Sequence, residues 1–136
     1  MPSQKNDRIA ELPAIDVIYE TGEKGRPISE QAPAAFDRLE ARLSSLKGKK
    51  FYGAVIDGQY RACAAIDEDA AGIDLPRWVI PGGRYLIRTI ADWERHRETI
   101  GTTVAAVLDR DDLDRTRPVI EFYRSQAELR ILAPIK

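Results

Sequence analysis

Along this chain the spacing of apolar residues switches between the alternation of strands and the three-and-four spacing of a helix, and those switches predict the elements. Residues 1–7 are polar and read as a loose start. Ile9, Leu12, Ile15, Val17 and Ile18 surround Pro13, and a strand is expected at about 14–20. Residues 21–27, TGEKGRP, form a loop. Ser29 is expected to cap a helix with the stripe Phe36, Leu39, Leu43 and Leu46, and Gly48 to stop it. Residues 51–56 and 60–66 are strand-like runs on either side of Asp57-Gly58, a hairpin signal. Residues 67–76 read as an acidic loop, and 78–90 as an extended run broken by Pro81-Gly82-Gly83. A second helix is expected over 93–110, with Trp93, Ile100, Val104, Val107 and Leu108 inward. After a loop at 111–117, the runs 119–123 and 128–135 predict a closing hairpin.

Strand, helix and hairpin thus occur twice. Pro13 and Pro81 lie 81 − 13 = 68 residues apart. The same offset brings Phe51 onto Val119, Tyr52 onto Ile120, Val55 onto Tyr123 and Gly53 onto Glu121. One domain over 1–136 is expected, with repeat one at about 8–68 and repeat two at about 76–136. Ligand sites often lie at interfaces between such halves.

Glu121 stands out within VIEFY. On a strand it shares a face with Val119 and Tyr123. An acid so placed either points to water or sits in a cavity, and its glycine counterpart suits a cleft with room on one wall and charge on the other. Tyr85 suits core and cleft equally. Trp78 suits an edge contact or a ligand. Tyr60 shares a face with Ala62, Ala64 and Ile66, which leaves room for a ligand or seats a helix. Trp93 reads as core, Cys63 as a small buried apolar residue, and His96 as part of a solvated helix face.

The bulk properties remove several classes. The 136 residues suffice for one real core. A net charge of −1, from 21 basic and 22 acidic residues, offers no footprint for nucleic acid or anionic membrane. One cysteine and one histidine leave no internal disulfide and no zinc cluster, so neither metal nor cofactor is expected. No apolar run approaches the ~20 residues that span a bilayer, and the first residues hold no apolar signal segment, so a cytoplasmic location is expected.

IPGGRYLI at 80–87, VIEFY at 119–123, ELRILAPIK at 128–136 and KFYGAVIDGQYRACAAI at 50–66 together resemble the GyrI-like small-molecule-binding domain, the effector-binding module of bacterial multidrug-responsive transcription activators. The resemblance covers roughly residues 8–136. It implies an α+β fold: a duplicated β-α-β-β unit, an antiparallel sheet, two main helices and a cleft on a pseudo-twofold axis. It also implies a glutamate in that cleft, here Glu121, among the aromatic candidates Tyr60, Trp78, Tyr85 and Tyr123. The implied function is binding of lipophilic compounds, cationic ones among them. Two alternatives come with the family. One is hydrolysis of cyclopropane-type compounds, with Glu121 and Tyr85 as the catalytic pair. The other is a protein partner, as in a gyrase-inhibitor-like role. The activators carry a helix-turn-helix region in front of the module. The stretch before Arg8 has no space for one, so a stand-alone form without direct DNA binding is expected.

Overall fold

The computed structural model describes residues 7–136, so the polar start at 1–6 lies outside the described residues. In order these residues form β1 (Arg8–Leu12), β2 (Ile15–Thr21), α1 (Ile28–Arg42), β3 (Phe51–Ile56), β4 (Gln59–Ala65), α2 (Glu68–Ala71), β5 (Arg77–Ile80), β6 (Gly83–Ala91), a 3-10 turn (Trp93–Arg95), α3 (Arg97–Leu108), β7 (Ile120–Tyr123) and β8 (Glu128–Pro134). The class is α+β, and the strands pair antiparallel. The chain folds as two compact units. The first is Ala14–Ile80, and the second joins Pro81–Lys136 to the described residues 7–13.

In the first unit the strands lie in the order β3-β4-β2-β5. The β3–β4 hairpin turns at Asp57-Gly58, where both residues take positive φ, 53° and 76°. Those left-handed angles match a turn whose twist continues that of the strands, which is why Asp-Gly was a good signal. Helix α1 lays Ala35 and Leu39 on one face of this sheet, against Ile18, Tyr60, Ala62 and Ala64. The alanines on β4 let the helix approach closely.

In the second unit the order is β7-β8-β6-β1. Here α3 packs Val107 against Leu86 and Ile90 of β6 and Leu129, Ile131 and Ala133 of β8. The elements of the two units start at similar separations. For β2 and β6 the difference is 83 − 15 = 68, and for α1 and α3, β3 and β7, and β4 and β8 it is 97 − 28 = 120 − 51 = 128 − 59 = 69.

Several local expectations need correction. Strand β1 is additional: Pro13 interrupts the apolar run, and β1 pairs with β6 while β2 pairs with β4 and β5. Ser29 does not cap α1; Pro27 occupies that position with no side-chain cap, and the helix ends at Arg42, well before Gly48. Leu43 already has an extended backbone and Leu46 is exposed. The 67–76 stretch contains a helical turn, α2, capped by Asp67, whose carboxylate accepts from Ala70 N–H at 2.9 Å. The second helix begins later than expected, because Asp92 turns left-handed (φ 50°) and sets off a separate 3-10 turn. No helix among the described residues is long and apolar enough to cross a membrane.

Candidate functional site

Alternation along β7 decides where Glu121 points. Ile120 is fully buried on one face. Glu121 lies on the other, opposite Ile131, with Tyr123 opposite Leu129. Ile131 and Leu129 belong to the cluster under α3, and Tyr123 and Val119 pack against it. Glu121 is therefore a half-buried acid on the helix-facing, apolar side of its sheet. Its Oε1 accepts the Tyr123 hydroxyl at 2.7 Å. The Tyr123 ring in turn meets Trp93 edge-on, with centroids 5.1 Å apart. Trp93 is tied down by its indole N–H, which donates to the Ser125 carbonyl at 3.0 Å. An acid, a phenol that donates to it, and an indole bracing the phenol stand in one row.

The register extends that row. Ile131, opposite Glu121, is also opposite Arg88 on β6. Arg88 is largely buried and makes a two-pronged pair with Asp7, at 3.0 and 2.8 Å. In the first unit Gly53 pairs with Ala62 on the helix-facing side. The acid on that side is Glu20, within reach of Arg38 and Arg42 of α1 at 3.6 and 4.0 Å.

Tyr85 lies elsewhere. It sits an odd number of residues from Leu86, Arg88 and Ile90, so its ring occupies the opposite sheet face from Glu121. Its hydroxyl donates to the Pro81 carbonyl, and the Arg117 guanidinium lies 4.9 Å above the ring. Burial pushes the Tyr85 phenol above its ordinary pKa, and Arg117 acts against that. Arg117 is held by Asp114 at 2.9 Å. The hydroxyl and backbone N–H of Thr116, then Arg117, hold the Asp114 carboxyl well below the carboxylate range, at about 2. Thus the second unit brings Tyr123, not Tyr85, to Glu121.

Tyr60 and Trp78 belong to the first unit. Tyr60 is fully enclosed on the α1 side, edge-on to Phe36 at 5.9 Å. Trp78 lies on the other face, opposite Val17, and its ring takes the Arg61 guanidinium at 4.9 Å. Sequence reasoning placed Trp93 in the core and did not single out Arg61. Trp93 carried a usable signal, an aromatic residue opening the expected helix. Arg61 carried none, because its partners become neighbours only through strand register.

By sequence, no family model matches the chain and no curated protein matches it. Its fold is similar to solved structures. An integron cassette protein from the mobile metagenome of Vibrio cholerae aligns with a TM-score of 0.75 at 11% identity, over 97% of each chain. SAV2435 bound to tetraphenylphosphonium aligns at 0.62 and 15%, over 96% of this chain and 94% of that one. EcmrR, in a complex with DNA, aligns at 0.59 and 15%, over 96% of this chain and 57% of that one. At these identities the likeness is one of fold.

Proposed function

We propose that this chain is a GyrI-like small-molecule-binding domain whose site for lipophilic compounds, cationic ones included, is built around Glu121. The observation that carries this reading is a half-buried carboxylate on the apolar, helix-facing side of β7, hydrogen-bonded by Tyr123 and backed by Trp93. A carboxylate partly withdrawn from water attracts a cation more strongly than one in bulk solvent. Aromatic rings beside it add cation–π attraction and apolar contact at little entropic cost. The similarity in fold to a protein bound to tetraphenylphosphonium supports a cationic, lipophilic ligand class. A hydrolytic reading of the same site would use Glu121 with Tyr123 as its proton donor, since Tyr85 lies on the other face.

The test is paired calorimetric titration of tetraphenylphosphonium and neutral triphenylphosphine oxide on the natural protein and on Glu121→Gln, with a turnover assay alongside. The substitution should weaken the cation by about 1–3 kcal/mol, the loss of a charged hydrogen-bonding group, and leave the neutral ligand nearly unchanged. Equal loss for both, or no binding of either, would refute the site. Loss of turnover with binding intact would instead favour the hydrolytic reading.

A further inference from the structure

Among the described residues five arginines are at least partly buried: Arg61, Arg88, Arg110, Arg117 and Arg130. Four have a carboxylate on the guanidinium. Arg88 meets Asp7, Arg110 meets Asp112, Arg117 meets Asp114 and Arg130 meets Glu128, all at 2.7 to 2.9 Å. Arg61 is the exception. Its guanidinium lies 4.5 Å from the Tyr19 ring centre and 4.9 Å from that of Trp78. No carboxylate or carbonyl among the described residues takes its donors, and its contacts are the two rings. None of its nitrogens is shut off from solvent without a partner, a state found at Arg117 Nη1.

Register explains the arrangement. Arg61 on β4, Tyr19 on β2 and Trp78 on β5 all project from the face of the first unit's sheet that turns away from α1. Arg61 is opposite Thr21, Tyr19 is opposite Cys63, and Trp78 is opposite Val17, so the two rings reach Arg61 diagonally. Two rings that hold the cation leave its N–H donors to face solvent. Partial burial of a cation without a counter-ion is costly. The rings offset part of that cost, and the fork is immobilised before any ligand arrives.

We propose that Arg61, braced by Tyr19 and Trp78, is a binding site for an oxyanion, the carboxylate or phosphate of a small aromatic compound. The planar fork matches two oxygens of such a group in a bidentate pair. The ring of the ligand would extend onto the Trp78 or Tyr19 face. This site takes the opposite charge from the one at Glu121 and does not depend on it.

The experiment titrates the full chain with benzoate, phenyl phosphate, inorganic phosphate and neutral benzyl alcohol. Binding is followed by the Trp78 indole N–H resonance in two-dimensional NMR, with thermal unfolding as the check on folding. Benzoate and phenyl phosphate should saturate at concentrations on the order of millimolar or below, and benzyl alcohol should not. Inorganic phosphate alone would show that the site reads a free ion rather than an aryl compound. Arg61→Gln should weaken both aryl anions by about tenfold or more, with Arg61→Lys intermediate because an ammonium keeps the charge but loses the planar fork. Glu121→Gln should change none of these titrations. If no anion saturates, or if Arg61→Gln binds as well as the natural protein, Arg61 only shields two rings and the proposal falls. Should Arg61→Gln fail to fold, unchanged binding by a folded Arg61→Lys with the charge-neutral control still silent would also overturn bidentate recognition.

Discussion

Gln31 shows how much one side chain holds together. It is a buried polar residue of α1. Its Nε2 donates to the carbonyls of Arg26 at 2.8 Å and Gly58 at 3.2 Å, and its Oε1 accepts from Tyr60 N–H at 2.9 Å. Loop, hairpin turn and strand β4 meet on one amide. Gly22 is glycine for the same reason, since a Cβ there would lie 2.5 Å from the Gln31 Cβ. Replacing Gln31 by Leu keeps the volume but leaves the Tyr60 N–H buried without an acceptor, so stability to urea should fall by about 1–3 kcal/mol. Gly22→Ala should also destabilise, and the double variant should lose less than the two losses added, because both act on one contact. Additive losses would show that the clamp does not exist in solution. Glutamine beside Glu30 in a helix reads as solvated, so nothing local pointed to this role.

The two main helices differ in how firmly the sequence anchors them. Helix α1 buries Gln31, Ala35 and Leu39, whereas α3 buries only Val107 and leaves Ile100 and Val104 half-covered. Gly101 sits in the middle of α3, exposed, with nothing within 4 Å of where a Cβ would stand. Gly101→Ala should therefore raise stability by roughly 0.5–1 kcal/mol, chiefly by restricting the unfolded chain. The midpoint of urea unfolding checks this, and a fall would mean that residue 101 is not helical in solution. Helix limits were harder to read than helix existence. Leu43 and Leu46 continue the apolar spacing of α1, yet the helix stops at Arg42. The following segment is held instead by α2: Ser44 N–H donates to Asp69 at 3.3 Å, and Lys49 reaches Asp67 and Asp69 at 2.9 and 3.1 Å. Those contacts cross about twenty residues of chain, and no periodicity registers them.

For the molecule as a whole, Cys63 reports on opening. It is fully buried on β4, and burial pushes its thiol up to about 12 from an ordinary 9.0. A reagent that needs the thiolate should therefore label it slowly in the native state and rapidly in denaturant. Fast native labelling would show that the first unit opens far more readily than its packing implies. The folded state holds the proton more tightly than the unfolded chain. This contribution to stability is thus complete below pH 9 and declines as pH rises from 9 towards 12. Cys63→Ala should make the alkaline decline shallower, measured as thermal midpoint against pH, while the buried Tyr52 and Tyr85 phenols, also raised by burial, sustain the remainder. Much was determined by local sequence alone. Alternation marked most of the strands, the three-and-four spacing located both long helices, Asp57-Gly58 set the first hairpin, and strand period put Glu121 and Tyr123 on one face. These are short-range properties, carried by neighbours within a few residues. Tertiary structure decided the rest. Only strand pairing could separate β1 from β2 across Pro13, move Tyr85 to the far face from Glu121, and bring Tyr19, Arg61 and Trp78 together. Register is a long-range property: it is set by which strands lie side by side, and a shift of one residue would turn each of these side chains to the other face.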